Sequence, residues 1–411
     1  MSAPGPGALG GLRVLDLSRI LAGPWVGQTL ADLGAEVIKI ERPGAGDDTR
    51  AWGPPFLKDE AGRDATSAYF SCANRNKKSV TADISRPEGQ SLVRQLAERS
   101  DVLIENYKVG GLKQYGLDYD SLRKVNPRLI YCSITGFGQT GPYASRAGYD
   151  FLIQAMGGLM SVTGTKDGEP GEGPQKVGVA LTDILTGLYS SVGILAALQH
   201  RNVTGQGQWL DMALLDVQVA CLANQASNYL VGGEAPRRMG NAHPNIVPYQ
   251  DFPTKDGYMV IATGNDAQFV RLCEAAGHAE LASDARYADN RSRVANRVDL
   301  IDAMNAFTVQ RTTAEWIALL EQAGVPCGPI NDLAQVFADP HVQARGLRQE
   351  LHSPAAGTTV PFVANPIRLS ETPVRYRMAP PVLGEHTRDV LRDVLGMTDG
   401  DIDRLASAGI V

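Results

Sequence analysis

Residues 12–41 read LRVLDLSRILAGPWVGQTLADLGAEVIKIE, and this stretch decides the fold class. Leu12–Leu17 is an apolar run of strand length. Ala22-Gly23-Pro24 then opens a helix, with Pro24 suited to its first turn, and Gly34 ends it after Leu33. Ala35–Glu41 alternates like a second strand. A strand, a helix and a strand within about thirty residues form a β-α-β unit, which argues for a parallel sheet. Arg42-Pro43-Gly44 marks the carboxyl end of the second strand, where α/β proteins bind ligands.

The pattern repeats downstream. Pro87–Arg99 reads as an amphipathic helix, Asp101–Glu105 as a strand followed by Asn106-Tyr107, Asp120–Val125 as a helix and Arg128–Thr135 as a strand. Residues 43–79 are rich in Gly, Pro, Asp and Asn and read as a long loop carrying Asp47, Asp48, Arg50, Arg75, Lys77 and Lys78. Such loops are either functional or simply solvated. Tyr149–Met160 is helical by pattern, and a long helix runs from about Asp183 to Arg201. Within it Ile184, Leu188, Val192 and Leu195 recur at helical spacing, which predicts a stripe facing the core. Gln208–Ala213 is a further strand and Asp216–Leu230 a further helix. Near residue 231 the composition changes. After a linker-like segment containing His243, a second α/β module carries a strand at Tyr258–Ala262, helices at 266–276, 296–308 and 313–323, and a strand at Gly328-Pro329-Ile330. Residues 331–411 are too sparse in apolar runs for a core of their own and are expected to pack back on the first domain.

Composition bounds the function. The 411 residues are 43% hydrophobic and 20% charged, with a formal net charge of -6. There is no basic field for nucleic acid or an anionic membrane. Five scattered cysteines without a CxxC pair suggest neither a disulfide framework nor a zinc site, and fit a reduced, cytoplasmic setting. The six histidines lack ligand spacing, so no metal site is expected. The first eleven residues lack the charged and apolar segments of a secretory signal, and no transmembrane helix is expected. HExxH, GxSxG and P-loop patterns are absent. Gly136-Phe137-Gly138-Gln139-Thr140-Gly141 matches GxGxxG, the fingerprint of an NAD-dependent oxidoreductase, but Pro142 and a polar run follow where a helix is required. Asp183 reads either as a first-turn acid favoured by the helix dipole or as a nucleophile. The residues alone indicate an α/β enzyme for an anionic small molecule.

The ordered set LDLSRILAGP (15–24), LGAEVIKIERPG (33–44), GDDTR (46–50), NRNKKS (74–79), ENY (105–107), SITGFG (133–138) and GQGQ (205–208) resembles the family III CoA-transferases of the CaiB/BaiF type almost end to end. Within that family, DDTRAWGPP (47–55), YCSITGFGQTGP (131–142) and HPNIVPYQ (243–250) most resemble members that use succinyl-CoA and a dicarboxylate such as glutarate. The resemblance implies a large doubly wound, Rossmann-like parallel-sheet domain built from both chain ends (1–228 plus 331–411) with an inserted small α/β domain (229–330). It also implies an interlocked homodimer, with the active site between the large domain of one chain and the small domain of the other. Asp183 is then the covalent nucleophile, passing through aspartyl anhydride and aspartyl-CoA thioester intermediates. Coenzyme A enters as substrate and no cofactor is bound permanently.

Other positions follow from the same resemblance. Arg42 falls near the adenosine phosphates, Leu21 and Ala22 at the thiol end, Asn106, Tyr107 and Lys108 along the pantetheine and diphosphate, and Ala147, Gly148 and Tyr149 on a further CoA-contacting turn. The chain departs from the formyl-CoA-type pattern at Arg19 (histidine there), Leu21 (glutamine), and Ser85 and Gln114 (basic residues). A glycine-rich lid is replaced by His243-Pro244-Asn245-Ile246. The acceptor's far carboxylate is therefore expected near Arg19, Arg50, Arg75 or His243, since arginine suits carboxylates. The related α-methylacyl-CoA racemases carry a histidine in a GHD motif, where this chain has Gly148-Tyr149-Asp150; tyrosine is a poor base near neutral pH.

Overall fold

The computed structural model describes residues 7–411, so the start of the glycine- and proline-rich leader lies outside the described residues. The chain divides into two compact units. One comprises the described residues up to Leu159, Lys176–Gly232 and Gln343–Val411; the other comprises Met160–Gln175 and Gly233–Val342. The short segment 160–175 thus belongs with the second unit, and that unit runs twelve residues beyond the expected limit at 330.

The first unit is built on strands β1 (Arg13–Asp16), β2 (Glu36–Glu41), β3 (Lys77–Thr81), β4 (Val102–Glu105), β5 (Ile130–Thr135) and β6 (Trp209–Ala213). They form one sheet in the order β6-β5-β4-β1-β2-β3, every pair parallel. Read from the other edge, this is the 3-2-1-4-5-6 order of doubly wound dinucleotide-type folds, and the winding reverses between β1 and β4. Alternate side chains serve two apolar layers, which is why the strands read as nearly continuous apolar runs. Val14, Val37, Ile104 and Ile130 face helices α1 (Ala22–Asp32) and α4 (Leu181–Thr204). Leu15, Ile38, Leu103 and Tyr131 face helix α2 (Pro87–Glu98) and the C-terminal helix Thr387–Leu395. Helix α3 (Asp150–Met156) precedes α4, and α5 (Leu214–Ala220) follows β6. The expected single helix over 216–230 is broken: Ala223 adopts φ +45°, and a second helix covers Ala223–Gly232. The long 43–79 loop holds more structure than its composition suggests, with a hairpin of Phe56–Lys58 and Asp64–Ser67 and a short helix at Ala68–Cys72.

The second unit has its own core. An antiparallel sheet of β7 (Tyr249–Pro253), β8 (Tyr258–Ala262) and β9 (Cys327–Pro329) packs Phe252, Met259 and Ile261 against Phe269, Leu300, Met304 and Trp316 from helices α6 (Asp266–Ala276), α7 (Arg297–Thr308) and α8 (Thr313–Gln322).

Helix α4 corrects the expectation for its apolar stripe. Leu188, Val192 and Leu195 are 43%, 64% and 38% exposed. The buried face is instead small and polar: Thr182, Thr186, Gly187, Ser190 and Ser191, then Ile194, Ala197 and Leu198. Small residues win this face because α1 comes too close for larger ones; a Cβ on Gly187 would sit 3.0 Å from the Ala22 carbonyl. Over 18 residues α4 also reaches a mean hydropathy of 1.5, so by length and composition it is apolar enough to cross a membrane.

Between the carboxyl end of β1, the middle of β2 and the amino end of β3 lies a fully buried ionic cluster. Lys77 Nζ donates to Asp16 Oδ2 (2.9 Å), Pro24 O (2.8 Å) and Asn74 Oδ1 (3.0 Å). Lys39 Nζ pairs with Asp47 Oδ2 at 2.9 Å and donates to Ser18 O at 2.7 Å. Burial pulls the Lys77 ammonium down to about 8 against the attraction of Asp16. Burial also opposes the charge on Lys39, but Asp47, Asp16 and Glu41 outweigh it and hold its pKa above the ordinary value. Removing one partner strands a buried charge. Lys77→Met is therefore expected to cost about 3–5 kcal/mol in urea unfolding. Lys78→Met, which breaks the part-exposed pair with Glu36, is expected to cost about 1 kcal/mol or less. Equal losses would contradict this account of the cluster.

Candidate active site

The winding reversal leaves a crevice above the ends of β1 and β4, where open α/β sheets take ligands. A cavity of about 410 Å³ occupies it. Its walls are the turn after β1 (Arg19–Ala22), the loop after β4 (Asn106–Gly111), the end of β5 with Gly136, the 144–149 turn, and Asp183 from α4. The structure thus brings together Asp183, Leu21, Ala22, Asn106, Tyr107, Lys108, Ala147, Gly148 and Tyr149 with Arg19. The first glycine of the GxGxxG match, Gly136, serves this wall rather than a helix start. Gly136 packs so tightly that a Cβ there would lie 2.5 Å from the Gly148 Cα, and no helix begins until Asp150. Gln114 also lines the cavity, while Ser85 bonds within its own turn to Asp83.

The remaining expected residues are elsewhere. Arg42 is exposed at the end of β2 and does not line the cavity. Arg50 and Arg75 are corrected as free carboxylate clamps, because each already holds a carboxylate of the fold. Arg50 grips Glu41 through Nε (2.8 Å) and Nη2 (2.6 Å), donates to Pro381 O, and stacks 3.8 Å over the Phe70 ring. Arg75 grips Asp32 through Nε (3.1 Å) and Nη2 (2.5 Å) and donates to Val363 O. His243 belongs to the second unit, where its Nδ1 accepts from Asn245 N at 3.0 Å; burial and then Arg297 lower its pKa. Arg19 does stand at the cavity, paired with Asp48 at 2.9 Å on an exposed edge. Lys108 is exposed there, with no ion pair among the described residues.

Asp183 is the third residue of α4, and it does not cap that helix. The capping acid is Asp150, whose Oδ1 accepts from Thr182 N (2.8 Å) and Asp183 N (3.3 Å). Asp150 is held in turn by Gln154 Nε2 at 2.7 Å, and Thr182 Oγ1 donates to Gln218 Oε1 at 2.6 Å. The helix-start amides are therefore spent on a neighbour. Burial first, and then the charge of Asp150, push the Asp183 carboxyl up to about 7. Burial outweighs the helix dipole here: a dipole is worth about 1 kcal/mol in the first turn, while desolvation of a carboxylate shifts a pKa by several units. Tyr69 adjoins the same group. Burial, and then the negative charge of Asp183, raise its phenol to about 12. Tyr69 and Asp150 escaped the sequence reading as partners of Asp183, as did Gln218 as the partner of Thr182. Only Asp150 left a signal, as the acid of Gly148-Tyr149-Asp150. Among the described residues, no cluster of His, Cys, Asp or Glu is placed to hold a metal.

Comparison with known proteins adds an independent line. The profile of CoA-transferase family III matches residues 9–387. The chain is 53% identical over 386 residues to succinate–glutarate CoA-transferase from Agrobacterium fabrum (strain C58 / ATCC 33970), covering 94% of this chain and 95% of that protein. It is 46% identical over 404 residues to succinyl-CoA:glutarate CoA-transferase from Homo sapiens, covering 98% and 90%. Among solved structures, a CaiB/BaiF family protein from Brucella suis superposes with a TM-score of 0.83 at 52% identity, covering 95% of this chain and all of that one.

The electrostatics of Asp183 carry a stability signature. Its folded-state pKa of about 7 lies above the ordinary 3.8. Between those values the folded protein holds a proton that the unfolded chain has released, so the cost of this group grows as pH rises and is complete above about 7. Asp183→Asn is expected to raise the melting temperature at pH 8 by about 2–4 °C and to leave it unchanged near pH 4. A gain of the same size at both pH values would show that Asp183 is not desolvated in the folded state.

Proposed function

This chain belongs to CoA-transferase family III, and we propose that it moves CoA from succinyl-CoA to a dicarboxylate, glutarate first, with Asp183 as the covalent nucleophile. The observation that carries the reading is the convergence of Asp183 with the walls of one cavity at the winding reversal. Names borne by relatives at 46–53% identity support the donor and acceptor.

The chemistry balances at each step. A carboxylate oxygen of Asp183 attacks the thioester carbonyl of succinyl-CoA, and the tetrahedral adduct expels the CoA thiolate, leaving an aspartyl–succinyl anhydride. The thiolate returns to the aspartyl carbonyl and expels succinate, giving an aspartyl-CoA thioester. A glutarate carboxylate attacks that thioester and expels the thiolate again. The thiolate then takes the glutaryl carbonyl from the second anhydride, and Asp183 is regenerated. One hard exchange becomes several easier ones, and acyl activation is never surrendered to water. Burial suits this role twice over: it raises the basicity of the attacking oxygen and keeps water from the anhydrides. Leu21 and Ala22 would line the thiol end, Tyr107, Lys108 and the 147–149 turn the pantetheine and diphosphate, and Arg42 the adenosine phosphates farther out. With Arg50 and Arg75 committed to the fold, Arg19 is the first choice for the acceptor's far carboxylate, and His243 the second.

We also propose that two copies interlock. The support is the exposed apolar stripe of α4 (Leu188, Val192, Leu195), with Phe151 and Leu152 on α3 and Leu230 and Val231 beyond α5 also exposed, since exposed apolar faces mark association sites. A second copy is the partner the family resemblance implies. The five unpaired thiols fit the cytoplasm.

Substrate screening, kinetics and solution mass test this reading. Transfer from succinyl-CoA to a panel of mono- and dicarboxylic acids is followed by the mass of the product CoA esters; glutaryl-CoA is expected, and failure of every dicarboxylate would remove the acceptor while leaving the family standing. Asp183→Ala should lose at least about a thousandfold in kcat and retain CoA binding, and kcat/KM of the unaltered protein should rise with pH to a plateau above about 7. Sedimentation equilibrium should give the mass of two chains, and that of one for Leu188→Glu/Val192→Glu. A two-chain mass for both proteins would exclude α4 from the contact.

A further inference from the structure

Ile20 stands at the cavity with φ +73°, in the left-handed region that a β-branched residue avoids. Such a conformation persists only where the surroundings impose it. Here they claim every backbone polar group from Ser18 N to Ile20 N. Asp16 Oδ1 accepts from Ser18 N at 3.0 Å, and Lys39 Nζ donates to Ser18 O at 2.7 Å. Asn106 grips both sides of the next residue: Oδ1 accepts from Arg19 N at 2.9 Å and Nδ2 donates to Arg19 O at 2.7 Å. Asp47 Oδ1 accepts from Ile20 N at 3.3 Å, and its other oxygen is tied to Lys39. Leu21 and Ala22 follow directly and share the cavity wall with Asp183.

We propose that Asn106 is a positioning residue. Its amide, pointed to by the family resemblance as a CoA contact, instead holds Ile20 left-handed so that the Leu21–Ala22 wall keeps a fixed place beside the reacting carbonyl. The inference rests on the acyl-transfer reading for its kinetic consequence. A wall displaced by a fraction of an ångström spoils attack geometry more than it spoils binding. Glycine adopts φ above zero without strain, so it dispenses with the clamp.

The test is a four-protein cycle: unaltered, Asn106→Ala, Ile20→Gly and the double variant, assayed for kcat and acyl-CoA KM at saturating acceptor and for thermal unfolding. Asn106→Ala is expected to lose about tenfold or more in kcat with KM within about threefold, and the double variant to regain most of that loss. The destabilisation by Asn106→Ala should be smaller on the Ile20→Gly background. A raised KM with kcat intact and no rescue by Ile20→Gly would make Asn106 a direct ligand contact and overturn the proposal. Equal thermal losses on both backgrounds would overturn it as well. If Asn106→Ala does not fold, Asn106→Asp, which keeps the acceptor for Arg19 N and loses the donor to Arg19 O, takes its place. If the unaltered protein transfers no CoA, the functional reading fails, and the thermal cycle alone decides the clamp.

Discussion

The ion pair between Lys77 and Asp16, fully buried at 2.9 Å, is the constraint on which the rest of the molecule depends. It joins β3 to β1 across β2, and the third donor of the same ammonium ties down the first turn of α1 through Pro24 O. Lys39 and Asp47 extend the cluster upward to the turn after β1. A buried pair of this kind is poor value as net stability, because desolvation consumes most of the attraction. Its effect is geometric. It admits one arrangement of β1, β2, β3 and α1, and that arrangement places Ser18–Ala22 at the cavity. Arg50 with Glu41 and Arg75 with Asp32 continue the pattern outward, tying the sheet to the 363–381 segment.

Asp183 shows how a site departs from the local rule that governs an ordinary helix start. An acid in the first turn is normally stabilised by free amides and by the dipole. In this chain Asp150 takes the amides, and its own charge then adds to the burial of Asp183. Two acids share one helix terminus, and the terminus satisfies only the one that does not face the cavity. The other is left with a pKa of about 7, so a large fraction is ionised at neutral pH and the charge it carries is poorly solvated. A carboxylate in that condition is a better nucleophile than one saturated with hydrogen bonds.

Helix α4 links site and surface. Its polar small residues are buried against α1 and its larger apolar residues face outward. The inversion has a steric cause, since close approach of α1 to Gly187 leaves no room for a leucine on that side. The helix that carries Asp183 therefore also carries an uncovered apolar face, and a partner seated on it would sit on the side of α4 away from α1.

Much of this was legible in the sequence. The β-α-β pattern of 12–41 determined a parallel sheet, because strand and helix periods are local properties of side-chain spacing. The ordered motifs pointed to Asp183 and to the residues that line its cavity. Other matters were decided only in three dimensions. Arg50 and Arg75 resemble free carboxylate binders until Glu41 and Asp32 are seen in their forks. The stripe at 188–195 resembles core until α1 is seen against the opposite face. The ionisation of Asp183 turns first on its burial and then on an acid 33 residues away. Apart from Arg50 with Glu41, the deciding contacts join residues remote along the chain, and burial and charge pairing act through space, where spacing in the sequence carries no record of them.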